Sequence, residues 1–213
     1  MSASDHWQSV YEQKAPDSVS WFQATPRVSH ELITACAPAR DAAIVDVGGG
    51  ASTLVDALIT SGYTDVTVLD LAPAALEHAN ARLGARASAV RWLAGDVLDL
   101  DVPDASIDVW HDRAVFHFLI DAAARAQYVA QVRRALRPGG HVVLATFAED
   151  GPTRCSGLEV ARYAPQELHA EFGSGFLLQS SQREEHVTPS GSVQRFTYCV
   201  CTWSPGSPVQ AAA

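Results

Sequence analysis

Residues 44–52, which read IVDVGGGAS, place three consecutive glycines directly after a short apolar run and directly before a stretch with helical character. The apolar run is rich in β-branched residues, which predicts a buried β-strand. Glycines at a strand-to-helix turn let the backbone tighten and let a ligand approach the main chain closely. A ligand is therefore expected at this turn, although the motif alone also fits a tight turn that binds nothing.

Outward from this turn, short strands alternate with helices. Strands are predicted at residues 42–47, 65–70, 89–94, 107–111 and 141–147, and helices at 53–61, 74–83 and 121–136. Such alternation is typical of parallel strands joined by helical crossovers. Two later strands, at 176–186 and 193–203, are joined by a short link and predict an antiparallel hairpin. The expected fold is α/β, a Rossmann-like, doubly wound, seven-stranded sheet with this C-terminal antiparallel hairpin.

A chain of 213 residues is long enough for one sizeable core and too short for two ordinary domains. A single domain is predicted over residues 1–204. It comprises an N-terminal lid or extension at 1–40 with a helix near 27–37, a core at 41–147, and a C-terminal part at 148–204 with a helix at 165–172. The tail at 205–213, rich in Pro, Ser and Ala, is predicted to be disordered.

Composition narrows the classes of partner. The net charge of −9, with scattered basic residues, argues against nucleic acid as a partner. No apolar run approaches the roughly 20 residues of a membrane span, and no export signal is recognised, so a cytoplasmic location without membrane association is expected. The four cysteines (Cys36, Cys155, Cys199, Cys201) lack CxxC spacing, and no metal site is predicted.

Two acidic residues follow the next predicted strands. Asp70 ends the second strand, 20 residues after Gly50, and Asp96 follows the third. The carboxyl ends of parallel strands meet at one edge of the sheet, which is where open α/β sheets bind ligands. An acid at the end of the second strand is suited to bind the hydroxyls of a ribose. The combination predicts a cofactor that contains a nucleoside.

These motifs resemble those of the class I S-adenosylmethionine-dependent methyltransferases. Residues 46–52 are similar to the family's acid-x-Gly-x-Gly-x-Gly motif, with Ser52 in place of the last glycine, and residues 69–71, 95–97 and 136–141 resemble later motifs. The resemblance implies S-adenosyl-L-methionine as cofactor and S-adenosyl-L-homocysteine as product. It implies contacts from Asp46, Gly48, Gly49 and Gly50 to the methionine part, from Asp70 to the ribose and from Asp96 and Val97 to the adenine, with Leu71 also at the cofactor.

Two other interpretations of the turn stay open. A nicotinamide-dependent dehydrogenase has a different glycine pattern around a pyrophosphate and does not need the C-terminal hairpin. A degenerate module that binds the cofactor without catalysis would retain the same acids and glycines. The hairpin favours the methyltransferase interpretation over the dehydrogenase.

Candidate catalytic residues follow the fourth strand, in residues 108–119 (DVWHDRAVFHFL). Methyl transfer requires alignment of a nucleophile and, for some acceptors, removal of its proton. Asp112 is predicted to shape the site or orient the acceptor. His117 is a candidate general base because imidazole titrates near neutral pH, with simple packing as the alternative. His111 is predicted to line the cofactor pocket.

The same segment partly matches a D-x-x-x-D-K-G-x-x-D pattern found in protein-lysine methyltransferases. Asp112 and Arg113 match its Asp-Lys pair, whereas Ala114 and His117 depart from it. The expected acceptor is therefore a small molecule or a soft nucleophile such as a thiol or metalloid, with a protein lysine as the alternative. The oligomeric state is left open.

Aromatic residues in the leader predict a lid. They cluster at residues 6–11 and 20–23, and Trp21 in particular is expected to cover the donor and exclude water. Ordinary packing of an N-terminal helix is the alternative.

Cys155 follows the fifth strand at the ligand edge, and together with Cys199 and Cys201 it is a candidate for a soft-ligand cluster. Cys199, however, should lie roughly 23 Å along its strand from that edge if the hairpin turn is there.

Overall fold

The computed structural model describes residues 2–206. Its strands are β1 Ala43–Val47, β2 Asp65–Asp70, β3 Val90–Ala94, β4 Ile107–Arg113, β5 Leu136–Phe147, β6 Arg154–Cys155, β7 Leu158–Glu159, β8 Phe176–Val187 and β9 Val193–Trp203. Seven of them form one sheet in the order β3-β2-β1-β4-β5-β9-β8, and β6 and β7 form a separate ribbon. β1 to β5 run parallel to one another. β9 runs antiparallel to both of its neighbours, β5 and β8. The predicted α/β sheet with a C-terminal hairpin is confirmed.

In the described part of the chain, six α-helices surround the sheet: α1 Ala3–Gln13, α2 Arg27–Cys36, α3 Leu54–Thr60, α4 Pro73–Leu83, α5 Ala122–Ala135 and α6 Pro165–Phe172. The central strand β1 is buried on both faces, as parallel strands covered by helices are. Ile44 faces the core formed with α2, α3 and α4, whereas Val45 faces the core formed with α5 and α6. In residues 2–206, no helix combines the length and apolar character needed to cross a membrane.

The strand order reverses at β1, which pairs with β2 on one side and β4 on the other. The crossovers therefore diverge at the carboxyl end of β1 and leave a crevice there, the usual ligand site of an open α/β sheet. The glycine turn closes this end, and the amide of Gly48 donates to the carbonyl of Leu69 at 2.7 Å. The fold thus places the glycine turn and the end of β2 side by side.

The ribbon of β6 and β7 was not predicted, and two further elements differ from the sequence-based expectation. β5 begins at Leu136 rather than at residue 141, because the Pro-Gly-Gly segment continues as strand and a register irregularity opposite Ile107 accommodates it. The leader contains the helix α1, which was not predicted because its sequence is mostly polar. A capping box between Ser2 and Asp5 starts this helix, and Tyr11 is buried. The tail from residue 207 lies outside the described residues, so its predicted disorder stays a prediction.

Candidate active site

The glycine turn packs too closely for side chains. A Cβ on Gly49 would lie 2.4 Å from Oδ2 of Asp46, and one on Gly50 would lie 2.4 Å from Oδ2 of Asp70. Gly48 has a φ of +66° and lies directly beneath the side chain of Val115. The turn therefore holds two carboxylates against the backbone at the ends of adjacent strands.

A cavity of about 360 Å³ opens at the carboxyl ends of β1, β2 and β4 and is called the main cavity below. One half is lined by predicted cofactor residues together with their neighbours: Val47, Gly48, Leu69, Asp70, Leu71, Gly95, Asp96, Val97 and Leu98. The other half includes Trp7, Tyr11, Trp21, Arg113, Phe118 and Cys155. The predicted positions Asp70, Leu71, Asp96, Val97 and Trp21 thus converge on one space. Gly50 is not among the residues that line either described cavity, and it makes room for the Asp70 carboxylate. Its direct contact with the cofactor stays a prediction.

Asp70 is a buried acid in the wall of the main cavity. Its Oδ1 accepts a hydrogen bond from the amide of Ala72 at 2.9 Å. Burial raises the pKa of Asp70 to about 7, against the effect of backbone donors, and the nearby charge of Asp46 raises it further. Hydroxyl donors placed in the cavity would stabilise the ionised carboxylate. The position is therefore suited to the two hydroxyls of a ribose.

A smaller cavity of about 50 Å³ lies on the other side of Gly48. His111, in its wall, bridges Oδ1 of Asp46 through Nδ1 at 2.7 Å and Oγ of Ser29 through Nε2 at 2.9 Å. The second carboxylate oxygen of Asp46 is buried and has no hydrogen-bond partner in the described structure. Buried polar atoms are nearly always paired, so this oxygen is placed to accept from a ligand. The predicted positions Asp46, Gly49 and His111 all line this cavity.

Asp96 lies at the exposed rim of the main cavity. Its Oδ1 accepts from the amide of Leu98 at 2.9 Å and caps the short turn after β3. Val97, within that turn, is buried and lines the cavity. The pair therefore provides an apolar contact next to an acceptor, which is what the edge of a purine ring requires.

Asp112 does not reach either cavity. The side chain is fully buried, its Oδ1 accepts from the amide of Val115 at 2.8 Å, and its Oδ2 accepts from the Tyr128 hydroxyl at 2.6 Å and the amide of Phe116 at 3.0 Å. Burial raises the pKa of Asp112 to about 6. Of the two predicted roles of Asp112, these contacts favour shaping the site over orienting the acceptor. Asp112 shapes the site only by fixing Val115 above the glycine turn.

Replacing Tyr128 by phenylalanine tests this structural role. The Tyr128 hydroxyl also accepts from Nε1 of Trp110 at 2.8 Å, so the substitution leaves two buried groups each short of a partner. We expect the free energy of unfolding in urea to fall by about 2 kcal/mol or more. The matched control Tyr163→Phe removes only a bond to the partly exposed Glu171 and should cost less. Unchanged stability in Tyr128→Phe would contradict this role of Asp112.

His117 is also fully buried and borders neither cavity. Its ring packs against Phe118 and Phe147, with centroids 4.5 and 4.8 Å away. Burial, together with the nearby charge of Arg113, lowers the pKa of His117 to about 3. This geometry favours the packing alternative over the predicted general-base role.

The pKa of His117 makes its contribution to stability dependent on pH. The folded protein holds the imidazole neutral, whereas the unfolded chain takes up a proton below about pH 6.5. The contribution is therefore complete above that pH and is lost as pH falls toward 3. We expect His117→Leu to flatten the fall in free energy of unfolding between pH 7 and pH 4, measured by urea titration. An identical pH dependence in both proteins would contradict the burial of a neutral ring.

The leader covers the main cavity with aromatic side chains. Trp7 on α1 makes edge contacts with Trp21 at 5.7 Å and with Phe118 at 5.1 Å, and Tyr11 contacts Trp21 at 6.3 Å. These four side chains are called the aromatic chamber below. Trp21 lines the cavity with the other three, and its action as a lid over the donor stays a prediction. Tyr11 and Phe118 were not predicted as site residues, although the four-residue spacing of Trp7 and Tyr11 was a helical signal.

Three polar side chains hold the lid segment in place and are called the lid clamp: Arg113, Glu184 and Gln23. Arg113 at the end of β4 donates to the carbonyl of Trp21 at 3.2 Å and pairs with Glu184 on β8 at 3.4 Å. Glu184 also accepts from Nε2 of Gln23 at 2.8 Å. The side chains of Arg113 and Glu184 are only 10% and 11% exposed. Sequence reasoning missed this function because the partners are separated by 71 to 161 residues.

The cysteines do not converge. Cys155 is buried in the wall of the main cavity, and burial raises its pKa to about 11. Cys199 and Cys201 belong to the core beneath α5 and α6, where Sγ of Cys199 lies 3.4 Å from the carbonyl of Pro165. Over residues 2–206 no group of three or more His, Cys, Asp or Glu side chains could hold a metal ion. A cluster of three cysteines for a metalloid is therefore contradicted.

The geometry agrees with the comparisons to known proteins. A family model described as a methyltransferase domain matches residues 44–140. The chain is 32% identical over 173 residues to a malonyl-[acyl-carrier protein] O-methyltransferase of Paenibacillus sp. (strain JDR-2), covering 68% of this chain and 60% of that protein. It is 22% identical over 153 residues to an eEF1A lysine and N-terminal methyltransferase of Mus musculus, covering 69% of this chain and 22% of that protein. The chain thus spans less than two thirds of the length of these curated relatives.

Solved structures share the fold. One, from work on the conversion of a disulfide bond into a thioacetal group during echinomycin biosynthesis, has a TM-score of 0.78 at 18% identity and covers 97% of this chain and 94% of that chain. The Burkholderia thailandensis 1,6-didemethyltoxoflavin-N1-methyltransferase, with bound 1,6-didemethyltoxoflavin and S-adenosylhomocysteine, has a TM-score of 0.66 at 24% identity and covers 84% of this chain and 77% of that chain. Over residues 44–140 the chain thus resembles methyltransferase domains in sequence, and it shares its fold with solved S-adenosylmethionine-dependent methyltransferases.

Proposed function

We propose that this chain transfers the methyl group of S-adenosylmethionine to a small-molecule acceptor and releases S-adenosylhomocysteine. One observation carries the proposal: a single cavity joins the donor half, with Asp70 and Asp96, to the aromatic chamber beneath α1. Donor and acceptor can therefore meet in one enclosed space. A lid over that space excludes water and holds the reactants in contact.

The donor's contacts follow from the orphaned and cavity-facing atoms. The unpartnered Oδ2 of Asp46 would accept from the donor's ammonium group, with His111 fixing the orientation of that carboxylate. Asp70 would accept from the ribose hydroxyls. The remaining positions are Gly48 and Gly49 along the methionine part and Leu71, Asp96 and Val97 around the adenine. Of the predicted cofactor residues, Gly50 acts through Asp70 in this assignment, and Trp21 lies over the cavity.

When bound, the cofactor supplies an electrophilic methyl group on a sulfonium. The chain's own residues hold the reactants in line rather than take part covalently. Val115, fixed by Asp112, covers the glycine turn, and the lid clamp holds Trp21 over the cavity. In the part of the chain that the structure describes, neither Asp112 nor His117 reaches the cavity, so neither exchanges a proton with an acceptor.

A protein lysine is the second candidate acceptor, favoured by the similarity to the mouse eEF1A lysine and N-terminal methyltransferase. The covered chamber argues against it, because α1 and the segment around Trp21 lie over the cavity where a folded protein would have to insert a lysine. A module that binds the donor without catalysis would show donor binding and no transfer.

Labelled methyl transfer separates these candidates. The protein is incubated with tritiated S-adenosylmethionine and with either the small-molecule fraction or the protein fraction of a cell extract, and Asp70→Asn serves as the inactive control. We expect label in the small-molecule fraction that depends on Asp70. Label in proteins only would favour the lysine alternative, and no transfer into either fraction would contradict the proposed activity.

A further inference from the structure

The acceptor half of the main cavity has mostly apolar and aromatic walls. The aromatic chamber forms one side, and Val115, Leu119, Ile120 and Leu158 complete the lining. Aromatic faces and edges bind flat rings by stacking and by edge contacts. They provide no strong hydrogen-bond acceptor for a polar ligand. The shape and chemistry of this half are therefore suited to an apolar, planar molecule.

The described lining contains few charged side chains. Each of them either already has hydrogen-bond partners or lies outside the interior of the acceptor half. Asp70 and Asp96 lie in the donor half. Arg113 is the lining cation, and its guanidinium is held by Glu184, the Tyr198 hydroxyl and the carbonyl of Trp21. It also lies 4.0 Å from the ring centroid of Phe196. Since a buried anion needs a cation or several donors, a negatively charged acceptor would be left unpaired here.

Among the described residues, none in the interior of the acceptor half can act as a base near neutral pH. Burial raises the pKa of Cys155 to about 11 and raises that of Tyr11 well above its usual range. Both groups therefore hold their protons near neutral pH. Glu159, the lining carboxylate outside the donor half, is exposed. An acceptor that needs deprotonation by the protein before attack is poorly served by this chamber.

We propose that the acceptor is an uncharged aryl compound that presents a free lone pair, on a sulfur or on a ring nitrogen, to the donor methyl. This inference rests on the proposed methyl transfer and names its substrate class. The lone pair of the acceptor forms a bond to the methyl carbon while the carbon–sulfur bond of the sulfonium breaks. The electron pair of that bond stays on the departing sulfur of S-adenosylhomocysteine. The positive charge moves to the acceptor, where the aromatic faces stabilise it.

A matched pair of probes tests the acceptor class. Thioanisole and 4-(methylthio)benzoate carry the same sulfur and ring and differ by one carboxylate. Binding of each to the protein loaded with S-adenosylhomocysteine is measured by tryptophan fluorescence, and turnover by transfer of tritiated methyl. We expect thioanisole to bind at least about 10-fold more tightly than the carboxylate because the buried anion is unpaired. Equal or tighter binding of the carboxylate, or no saturable binding of thioanisole, overturns the inference.

A substitution that adds a cation sharpens the test. Leu158→Lys places an ammonium group at the acceptor half, and Leu177→Lys, on β8 outside both cavities, is the matched control. We expect only Leu158→Lys to shift the preference toward the carboxylate probe, by about 10-fold. An unchanged preference in Leu158→Lys contradicts the location of the acceptor. If the unsubstituted protein does not bind S-adenosylhomocysteine, the proposed function itself is contradicted instead.

Discussion

Replacing Asp70 by asparagine is expected to remove most of the affinity for S-adenosylhomocysteine while making the ligand-free protein more stable. The carboxylate is buried in the cavity wall and is the acceptor for the two ribose hydroxyls in the proposed site. Hydrogen bonds to a charged group contribute about 1.5–3 kcal/mol each, so the loss corresponds to roughly 10- to 100-fold or more in the dissociation constant. The substitution also removes a charge that the folded chain buries at a cost.

The stability gain of Asp70→Asn depends on pH. Burial raises the pKa of Asp70 to about 7, above the ordinary value of 3.8. The contribution of this group to stability is therefore complete below about pH 4 and is lost as pH rises toward 7. At pH 8 the asparagine variant should be more stable than the parent by roughly 1–4 kcal/mol, and at pH 4 the difference should disappear. Donor affinity of the parent should fall as pH drops below about 7, when Asp70 takes up a proton.

Two titrations check this expectation: calorimetry with S-adenosylhomocysteine at pH 8, and urea unfolding of the ligand-free protein from pH 4 to pH 8. Asp65→Asn is the matched control, since it changes the same residue type at the opposite end of β2, where Asp65 is paired only with Arg91. Retained affinity in Asp70→Asn would remove Asp70 from the donor site.

Removing the cation of the lid clamp is expected to produce the second large effect. Arg113→Met breaks the contacts to the carbonyl of Trp21 and to Glu184. The buried glutamate then lacks its cation and retains only the neutral donors Gln23 and Tyr198. Breaking a buried ion pair costs about 3–5 kcal/mol of stability. We expect weaker donor binding, by about 10-fold or more, because Trp21 no longer covers the cavity and donor binding must first order the lid.

The variant Arg113→Met/Glu184→Gln separates stability from function. It removes both charges, so the free energy of unfolding should recover much of the loss while donor binding stays weak. Arg195 lies on the same hairpin as Glu184 and forms exposed ion pairs with Asp150 and Glu185. Arg195→Met breaks these pairs and should leave donor binding unchanged. Recovery of donor affinity in the double variant would show that the clamp only stabilises the fold and does not position the lid.

The parallel core was predictable because its signals are local. Each of its strands is a short apolar run next to turn residues, and the glycine turn and Asp70 mark adjacent strand ends. Their order in the sheet then follows from the crossover rules for parallel strands. The helix α1 was missed because its sequence is mostly polar and only the short run Trp7, Val10 and Tyr11 marks its apolar face. The start of β5 was missed because proline and glycine normally end an element.

The acceptor side was harder to predict because burial in the folded protein decides which side chains line it. Asp112 and His117 occur in the right segment, but contacts with Tyr128 on α5 and with Phe147 on β5 enclose them. No local pattern reports such packing. The lid clamp has the same property, since Arg113 and Glu184 become partners only when the C-terminal hairpin joins the sheet beside β5. Local motifs therefore mark the proposed donor half in the sequence, whereas the proposed acceptor half is indicated only by its position along the chain.

The central claim is that the crevice at the end of β1 is the donor site of a methyltransferase. Calorimetric titration of the protein with S-adenosylmethionine, S-adenosylhomocysteine and NAD tests it most directly. We expect saturable binding of the first two ligands with one site per chain, lost in Asp70→Asn and kept in Asp65→Asn, and no binding of NAD. Binding of NAD alone, or of none of the three ligands, would contradict the claim.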